Sequence, residues 1–100
     1  MNIPMYFQII RNDNCNELKQ CIKGKDINLL RVGFHNDTLL TFASFECATK
    51  CVAYLLEQKA DVSIKDSFGR NAIMNLFQCP RKIIIKTMWT DTLHLLINAK

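Results

Sequence analysis

The sequence contains 100 residues, of which 49% are hydrophobic and 22% charged, with a formal net charge of +4. A chain of this length forms one small domain that buries about 60% of its unfolded surface, and its apolar content is too high for a disordered protein. Lysine and arginine occur singly or in one adjacent pair, which does not favour nucleic-acid binding. Apolar runs fall short of the roughly 20 residues that span a bilayer, and no signal-peptide pattern begins the chain.

The cysteine pattern indicates reduced thiols. The five cysteines are Cys15, Cys21, Cys47, Cys51 and Cys79. An odd number without a Cys-x-x-Cys pair argues against a disulfide framework and against a zinc finger. Because no secretory signal is present either, we expect a cytoplasmic protein. Cys47 and Cys51 are four residues apart and could share a metal on one helix face, but two ligands without a second pair favour helix packing.

The spacing of apolar residues predicts six helices in three consecutive pairs. Their predicted positions are residues 4–10, 16–23, a segment that begins after Thr38, 49–58, 71–77 and 90–100. Thr38 and Asn71 are capping-type residues in front of apolar helix starts. Gly24 and Pro80 are stop signals after the second and the fifth helix. Whether the run Ile83-Ile84-Ile85 forms a short strand or an added helical turn stays open.

Two stretches of the chain repeat one pattern. Thr38-Leu39-Leu40 and Asn71-Ala72-Ile73 each place a capping residue before an apolar helix start, 33 residues apart. The turned segment between them includes Asp66-Ser67-Phe68-Gly69, a tight turn with glycine at its last position. A fixed period of this size indicates stacked units. Because one helix pair is too thin to enclose its own apolar residues, each pair is expected to bury them against the next.

The segment Val52 to Ile73 resembles the ankyrin repeat. Its paired leucines Leu55-Leu56, the loop Ala60-Asp61-Val62-Ser63 and the Asp66–Gly69 turn follow the family order without a gap, and Lys25-Asp26-Ile27-Asn28 is similar to the same loop one repeat earlier. The resemblance covers essentially the whole chain and is strongest over the middle 40 residues. It implies an all-α ankyrin-repeat solenoid of antiparallel helix pairs joined by β-turn loops. The implied single domain covers residues 1–100, with approximate repeats 4–33, 38–66 and 71–100.

The sequence also departs from the family pattern. Leu39 and Ala72 stand where the family has proline. Thr41 and Met74 stand where it has the histidine that hydrogen-bonds neighbouring repeats. Cys47 replaces the glycine between paired helices, so this cysteine is expected to adopt a backbone conformation that disfavours a side chain. A divergent array with irregular turns is therefore expected.

The sequence contains no arrangement typical of catalysis. His35 and His94 have no nucleophile beside them in a known arrangement, and the three glycines are isolated rather than gathered in a phosphate-binding loop. His94 is expected on the exposed side of its helix. We therefore expect no enzymatic activity, no cofactor and no metal.

The resemblance implies that a partner binds a concave face made from the turn tips and the first helix of each pair. The matching positions, all expected to be exposed, are Phe34, His35, Asp37, Phe45, Glu46, Lys65, Ser67, Phe68, Arg70 and Gln78. Phe34 and Phe68 would occupy neighbouring turn tips, and two exposed aromatic rings near Arg70 would resemble an interface hot spot. The alternative is that each phenylalanine folds back over its own turn. For Phe34 the folded-back arrangement is favoured, and for Phe68 the exposed and the folded-back arrangement are equally expected.

The sequence thus predicts a non-catalytic protein–protein interaction module of the scaffold or adaptor type, without nucleic-acid or membrane partners. The alternative is an accessory repeat region of a larger enzyme or channel whose catalytic part lies beyond residue 100. Leu93, Leu96 and Ile97 are expected at the uncapped end of the stack. Because Asn98-Ala99-Lys100 resembles the start of another loop, the chain is expected to be the N-terminal part of a longer protein. Self-association through this C-terminal face is the alternative.

Overall fold

The computed structural model describes residues 3–33, 35–81 and 84–99. Within these ranges the chain forms six α-helices and no β-strand, which confirms the all-α prediction. The helices are α1 (Ile3–Arg11), α2 (Cys15–Cys21), α3 (Leu39–Phe45), α4 (Thr49–Glu57), α5 (Ala72–Phe77) and α6 (Lys86–Asn98). In the described part of the chain, no helix combines the length and the apolar character that crossing a membrane requires.

The six helices pack as three consecutive pairs. Helix α1 packs on α2, α3 on α4, and α5 on α6. Between pairs, α3 contacts both α1 and α5, while α4 contacts both α2 and α6. The first helices of the pairs therefore form one layer and the second helices form another, with the α3–α4 pair in the middle.

The central pair supplies much of the core. The four apolar residues of α3 predicted to be buried, Leu39, Leu40, Phe42 and Ala43, are all buried. At the far end, α6 buries Leu96 against this core and leaves Leu93 half-buried, while Ile97 is 58% exposed. The prediction that Leu96 lies at an uncovered end of the stack is therefore wrong, because this side chain points toward the pairs already present.

The end of α2 and the start of α6 differ from their predicted positions. Helix α2 ends at Cys21, and the N–H of the next residue, Ile22, donates to the Leu18 carbonyl before Gly24 turns the chain with φ +77°. Helix α6 begins at Lys86, four residues earlier than predicted. The amides of Ile84 and Ile85 both donate to the Arg81 carbonyl, so these two residues form a turn that leads into α6. Ile83 lies outside the described residues.

Helix starts are capped in two ways. The Thr38 hydroxyl accepts a hydrogen bond from the Thr41 amide (3.0 Å), and the Asn71 side chain accepts one from the Met74 amide (2.9 Å), as predicted. Helix α4 has no such local cap. Instead, the carboxylate of Asp13, in the loop between α1 and α2, accepts from the amides of Lys50 (3.1 Å) and Cys51 (2.9 Å). A negative charge is favourable at a helix N-terminus, so this contact joins the first pair to the second.

Cys47 adopts the unfavourable conformation expected of it, with φ +55°. Its amide donates to the Ser44 carbonyl and that of Ala48 donates to the Ala43 carbonyl, a pattern that closes a helix C-terminus. Because Cys47 precedes α4 and Cys51 lies within it, the two cysteines do not share one helix face. Both side chains are buried, in agreement with the packing interpretation.

The turned segments between pairs contact each other. Val32 and Asp37 exchange two backbone hydrogen bonds (2.8 and 3.1 Å) that close the base of the first turn tip, to which His35 belongs. The next tip is the predicted turn Asp66–Gly69, in which the Gly69 amide donates to the Asp66 carbonyl (2.9 Å) and glycine has φ +77°. The two tips therefore stand beside the first layer of helices, where the candidate site is found.

Candidate functional site

A cavity of about 350 Å³ opens between the turn tips and the layer formed by α1, α3 and α5. We call it the groove. The residues that line it are Phe7, Arg11, Gly33, His35, Asp37, Phe42, Phe45, Glu46, Arg70, Asn75 and Gln78. It is therefore built from all three helix pairs.

Six of the ten residues predicted for partner binding line the groove: His35, Asp37, Phe45, Glu46, Arg70 and Gln78. Three others do not line it and are exposed: Ser67 and Phe68 on the second turn tip, and Lys65 just before it. Phe34 lies outside the described residues. The six residues come from two separate segments of the chain, which the structure brings together at the groove.

Sequence reasoning missed the aromatic wall of the groove. The rings of Phe7 and Phe42 pack with centroids 4.9 Å apart, and the Arg11 guanidinium lies 5.7 Å from the Phe7 centroid. Arg11 Nε also pairs with Glu46 Oε2 at 3.4 Å. The signal available for Phe7 and Arg11 was their spacing of four residues on the first helix, which places them on one face. The residues predicted for partner binding all lie between positions 34 and 78, so the prediction did not include Phe7 and Arg11.

Asp37 was predicted to be exposed, and this prediction is wrong because only 8% of the residue is accessible. The Thr41 hydroxyl donates to its Oδ1 at 3.0 Å, which holds the carboxyl inward. Burial raises the pKa of Asp37 above its usual value, and the hydrogen bond from Thr41 opposes that shift. Thr41, one of the residues that depart from the ankyrin pattern, therefore determines the orientation of Asp37.

Asp66 organises the second turn tip. Its Oδ1 accepts from the amides of Phe68 and Arg70 at 2.9 Å each, and its Oδ2 accepts from Arg70 Nε (3.2 Å) and Asn75 Nδ2 (3.3 Å). Burial favours the protonated acid, but these hydrogen bonds lower the pKa of Asp66 below its usual value. The carboxylate is therefore ionised at neutral pH, and Arg70 is held in place as its counterion.

Phe68 presents its ring at the surface of this tip, with 64% of the residue exposed. The His35 ring meets it edge-on with centroids 4.6 Å apart, and the Arg70 guanidinium lies 4.9 Å from its centroid. The Ser67 amide and hydroxyl both donate to the His35 carbonyl (2.8 and 3.0 Å), which fastens one tip to the other. Phe68 is thus held between two side chains at the surface, and it does not fold back into the core.

The remaining chemistry-bearing side chains lie elsewhere. His94 is exposed on α6, as predicted. Among the described residues, no group of three or more histidine, cysteine, aspartate or glutamate side chains could hold a metal ion. Burial raises the pKa of both the Cys47 and the Cys51 thiol, so both stay protonated at neutral pH.

Two further cavities open on other faces of the molecule. One, of about 780 Å³, lies between α4 and α6 beside Leu56, Asp91 and His94. The other, of about 530 Å³, is bordered by lysines near α2 and by Tyr54 of α4. Neither contains a residue predicted for partner binding, so the groove remains the candidate site.

Searches of protein-family models and of curated proteins each found no match to the chain. The function is therefore argued from the geometry of the groove and from the chemistry of the side chains that line it.

Proposed function

We propose that the chain is a non-catalytic protein–protein interaction module, built as a divergent ankyrin-type solenoid, that binds a segment of a partner protein in the groove. The observation that carries the proposal is the groove itself. It lies between the turn tips and the layer of first helices, where the ankyrin resemblance implies partner binding. Six residues expected at such a face line it.

Hydrogen bonds between corresponding loops support the solenoid part of the proposal. The Asp61 amide donates to Asn28 Oδ1 at 2.8 Å, and these residues are 33 positions apart. Ser67 and His35, which join the two tips, are 32 positions apart. In a stack with a repeat of about 33 residues, equivalent positions of neighbouring units lie side by side. Both contacts have the separation that such a repeat requires.

The composition of the groove and its rim supports the binding part. Interface hot spots are enriched in aromatic and arginine side chains set in pockets that exclude water. The groove offers a wall of Phe7, Phe42 and Phe45, with Arg11 at its edge. The exposed Phe68 ring stands on the neighbouring tip, already fixed by His35 and Arg70. A partner that covers the groove and Phe68 would therefore bury side chains that are largely ordered in advance, which lowers the entropic cost of binding.

Selection of displayed random peptides on the immobilised protein tests this proposal. The variants Phe68→Ala and Gln78→Ala are suited to the test because both side chains are exposed, whereas Arg70 stabilises Asp66 and its replacement would confound folding with binding. We expect each variant to bind a selected peptide about tenfold or more weakly, a loss of about 1.4 kcal/mol, with an unchanged melting temperature.

Leu29→Ala is the matched control, because Leu29 is 74% exposed, does not line the groove and belongs to neither turn tip. It should bind the selected peptides as tightly as the unmodified protein. Selection of no peptide at all, or equal binding by all three variants, would overturn the proposal.

A further inference from the structure

The floor of the groove contains a carboxyl group whose hydrogen bonding is incomplete. Asp37 Oδ1 accepts from the Thr41 hydroxyl, but Oδ2 accepts no hydrogen bond from any residue that the structure describes. An ionised carboxylate has about four acceptor sites. Asp37 therefore presents unused acceptor capacity to whatever enters the groove.

Asp37 lines the groove without an ion-pair partner among the described residues. The two guanidinium groups each have a carboxylate of their own, since Arg11 pairs with Glu46 at 3.4 Å and Arg70 with Asp66 at 3.2 Å. Within residues 3–33, 35–81 and 84–99, no ion pair includes Asp37. The charge in the groove that still lacks a counterion is therefore negative.

The wall beside this carboxyl suits a cation with an apolar stem. Phe7 and Phe42 pack at 4.9 Å and form an aromatic surface next to Phe45. Cations are attracted to the faces of aromatic rings, and lysine and arginine pack their methylene stems on apolar surface while their charged ends stay with polar partners. The Arg11 guanidinium already lies over the Phe7 ring, 5.7 Å from its centroid.

We propose that the bound partner segment inserts a lysine or arginine side chain into the groove, with its cationic group on the Asp37 carboxyl and its stem on the phenylalanine wall. This inference rests on the proposed function and names the side chain that the groove selects. An acidic segment is disfavoured because its charge would repel the Asp37 carboxylate. A purely apolar segment is disfavoured because it would leave that carboxylate buried without a counterion.

A bound cation should also change the protonation of Asp37. Burial raises its pKa, and the nearby Asp66 carboxylate adds to the shift, while Thr41, His35 and Arg70 oppose it. A cation placed on the carboxyl would favour the ionised form and lower that pKa again. Binding is therefore expected to be coupled to the protonation state of Asp37.

Three displayed peptide libraries with a fixed central residue provide the test: lysine or arginine, leucine, and glutamate. We expect the folded protein to enrich the basic library over the other two. The Asp37→Asn variant keeps an acceptor for Thr41 and removes the charge, so it should bind the selected basic peptides about tenfold or more weakly. Asp91→Asn removes the same charge from an exposed position of α6, outside the groove, and should bind them normally.

A titration that does not depend on a variant completes the test. The pKa of Asp37, followed by the carboxyl carbon resonance, should fall when a selected basic peptide is added. An unchanged pKa, or equal enrichment of the leucine or glutamate library, would overturn the inference and leave the proposed function standing. Enrichment of no library would overturn both.

Discussion

Replacement of Asp66 by alanine tests how the second turn tip is held together. The Asp66 carboxylate accepts four hydrogen bonds, two from backbone amides and two from the side chains of Arg70 and Asn75. It thereby fixes the turn that presents Phe68 and positions two residues that line the groove. Asp66→Ala would remove all four acceptor contacts at once.

The expected loss follows from burial and charge. Hydrogen bonds to a charged group each contribute about 1.5–3 kcal/mol. Asn75 is only 1% exposed, so its side-chain amide would be left without its Asp66 acceptor in the interior, although its bond to the Asn71 carbonyl (3.1 Å) remains. Removal of one member of a fully buried pair costs about 3–5 kcal/mol, and here Asp66 is buried while the Arg70 side chain is 27% exposed. We expect a loss at the lower end of this range, about 3 kcal/mol, which is a large fraction of the roughly 5–15 kcal/mol that stabilises a domain.

Urea denaturation measures the loss, with Trp89 as the fluorescent probe. The Trp89 indole donates to the Leu76 carbonyl at 2.8 Å and packs at the junction of α5 and α6, so its emission reports on unfolding. Asp61→Ala is the matched control, because Asp61 accepts similar local bonds from Ser63 but is fully exposed. Its unfolding free energy should be nearly unchanged. A loss below about 1 kcal/mol for Asp66→Ala, or equal losses for both variants, would show that the Asp66 carboxylate does not hold the turn tip together.

Further predictions concern charge, capping and backbone conformation. Asp13→Asn should lower the unfolding free energy by about 1 kcal/mol in urea denaturation, because one of the two acceptors at the N-terminus of α4 becomes a donor. Lys59→Gly should raise it by about 0.5–1 kcal/mol, since Lys59 has φ +69° after α4, whereas Ala53→Gly within α4 should lower it by about 1 kcal/mol. Because the pKa of Asp37 is raised in the folded protein, protonation of this carboxyl stabilises the fold. This stabilisation is complete below the unfolded pKa of about 3.9 and is lost as the pH rises through the folded pKa. Asp37→Asn should therefore melt at or above the unmodified protein at pH 7, and this advantage should disappear near pH 3, as thermal unfolding at the two pH values would show.

Local signals in the sequence were sufficient for most of the helical structure. The capping roles of Thr38 and Asn71, the buried side of α3 and the left-handed conformation of Cys47 depend on residues within one turn of each other. Periodicity and capping chemistry act over that distance. The start of α6 was misplaced because the β-branched run that contains Ile84 and Ile85 left a strand and an added helical turn both open. The turn that these two residues form on the Arg81 carbonyl brings the start of the helix forward to Lys86.

Contacts between distant segments were not predictable from the same signals. The cap that Asp13 provides for α4 joins residues 37 and 38 positions apart, and no local pattern specifies it. The inward orientation of Asp37 depends on Thr41. The sequence analysis identified Thr41 as a departure from the ankyrin pattern but did not predict its effect on Asp37. The position of the candidate site followed from the resemblance, because a 33-residue period specifies which loops are adjacent. The aromatic wall of the site did not follow from it, since Phe7 lies outside the middle 40 residues over which the resemblance is strongest.

The proposed binding of a partner segment in the groove can be tested most directly by titration. The isotopically labelled protein is titrated with a peptide selected on the folded domain and followed by its backbone amide resonances. We expect the largest changes in chemical shift at the groove, at residues such as Gly33, His35, Phe45 and Gln78. Changes concentrated instead at the cavity between α4 and α6, or at the lysine-bordered cavity near α2, would contradict binding in the groove.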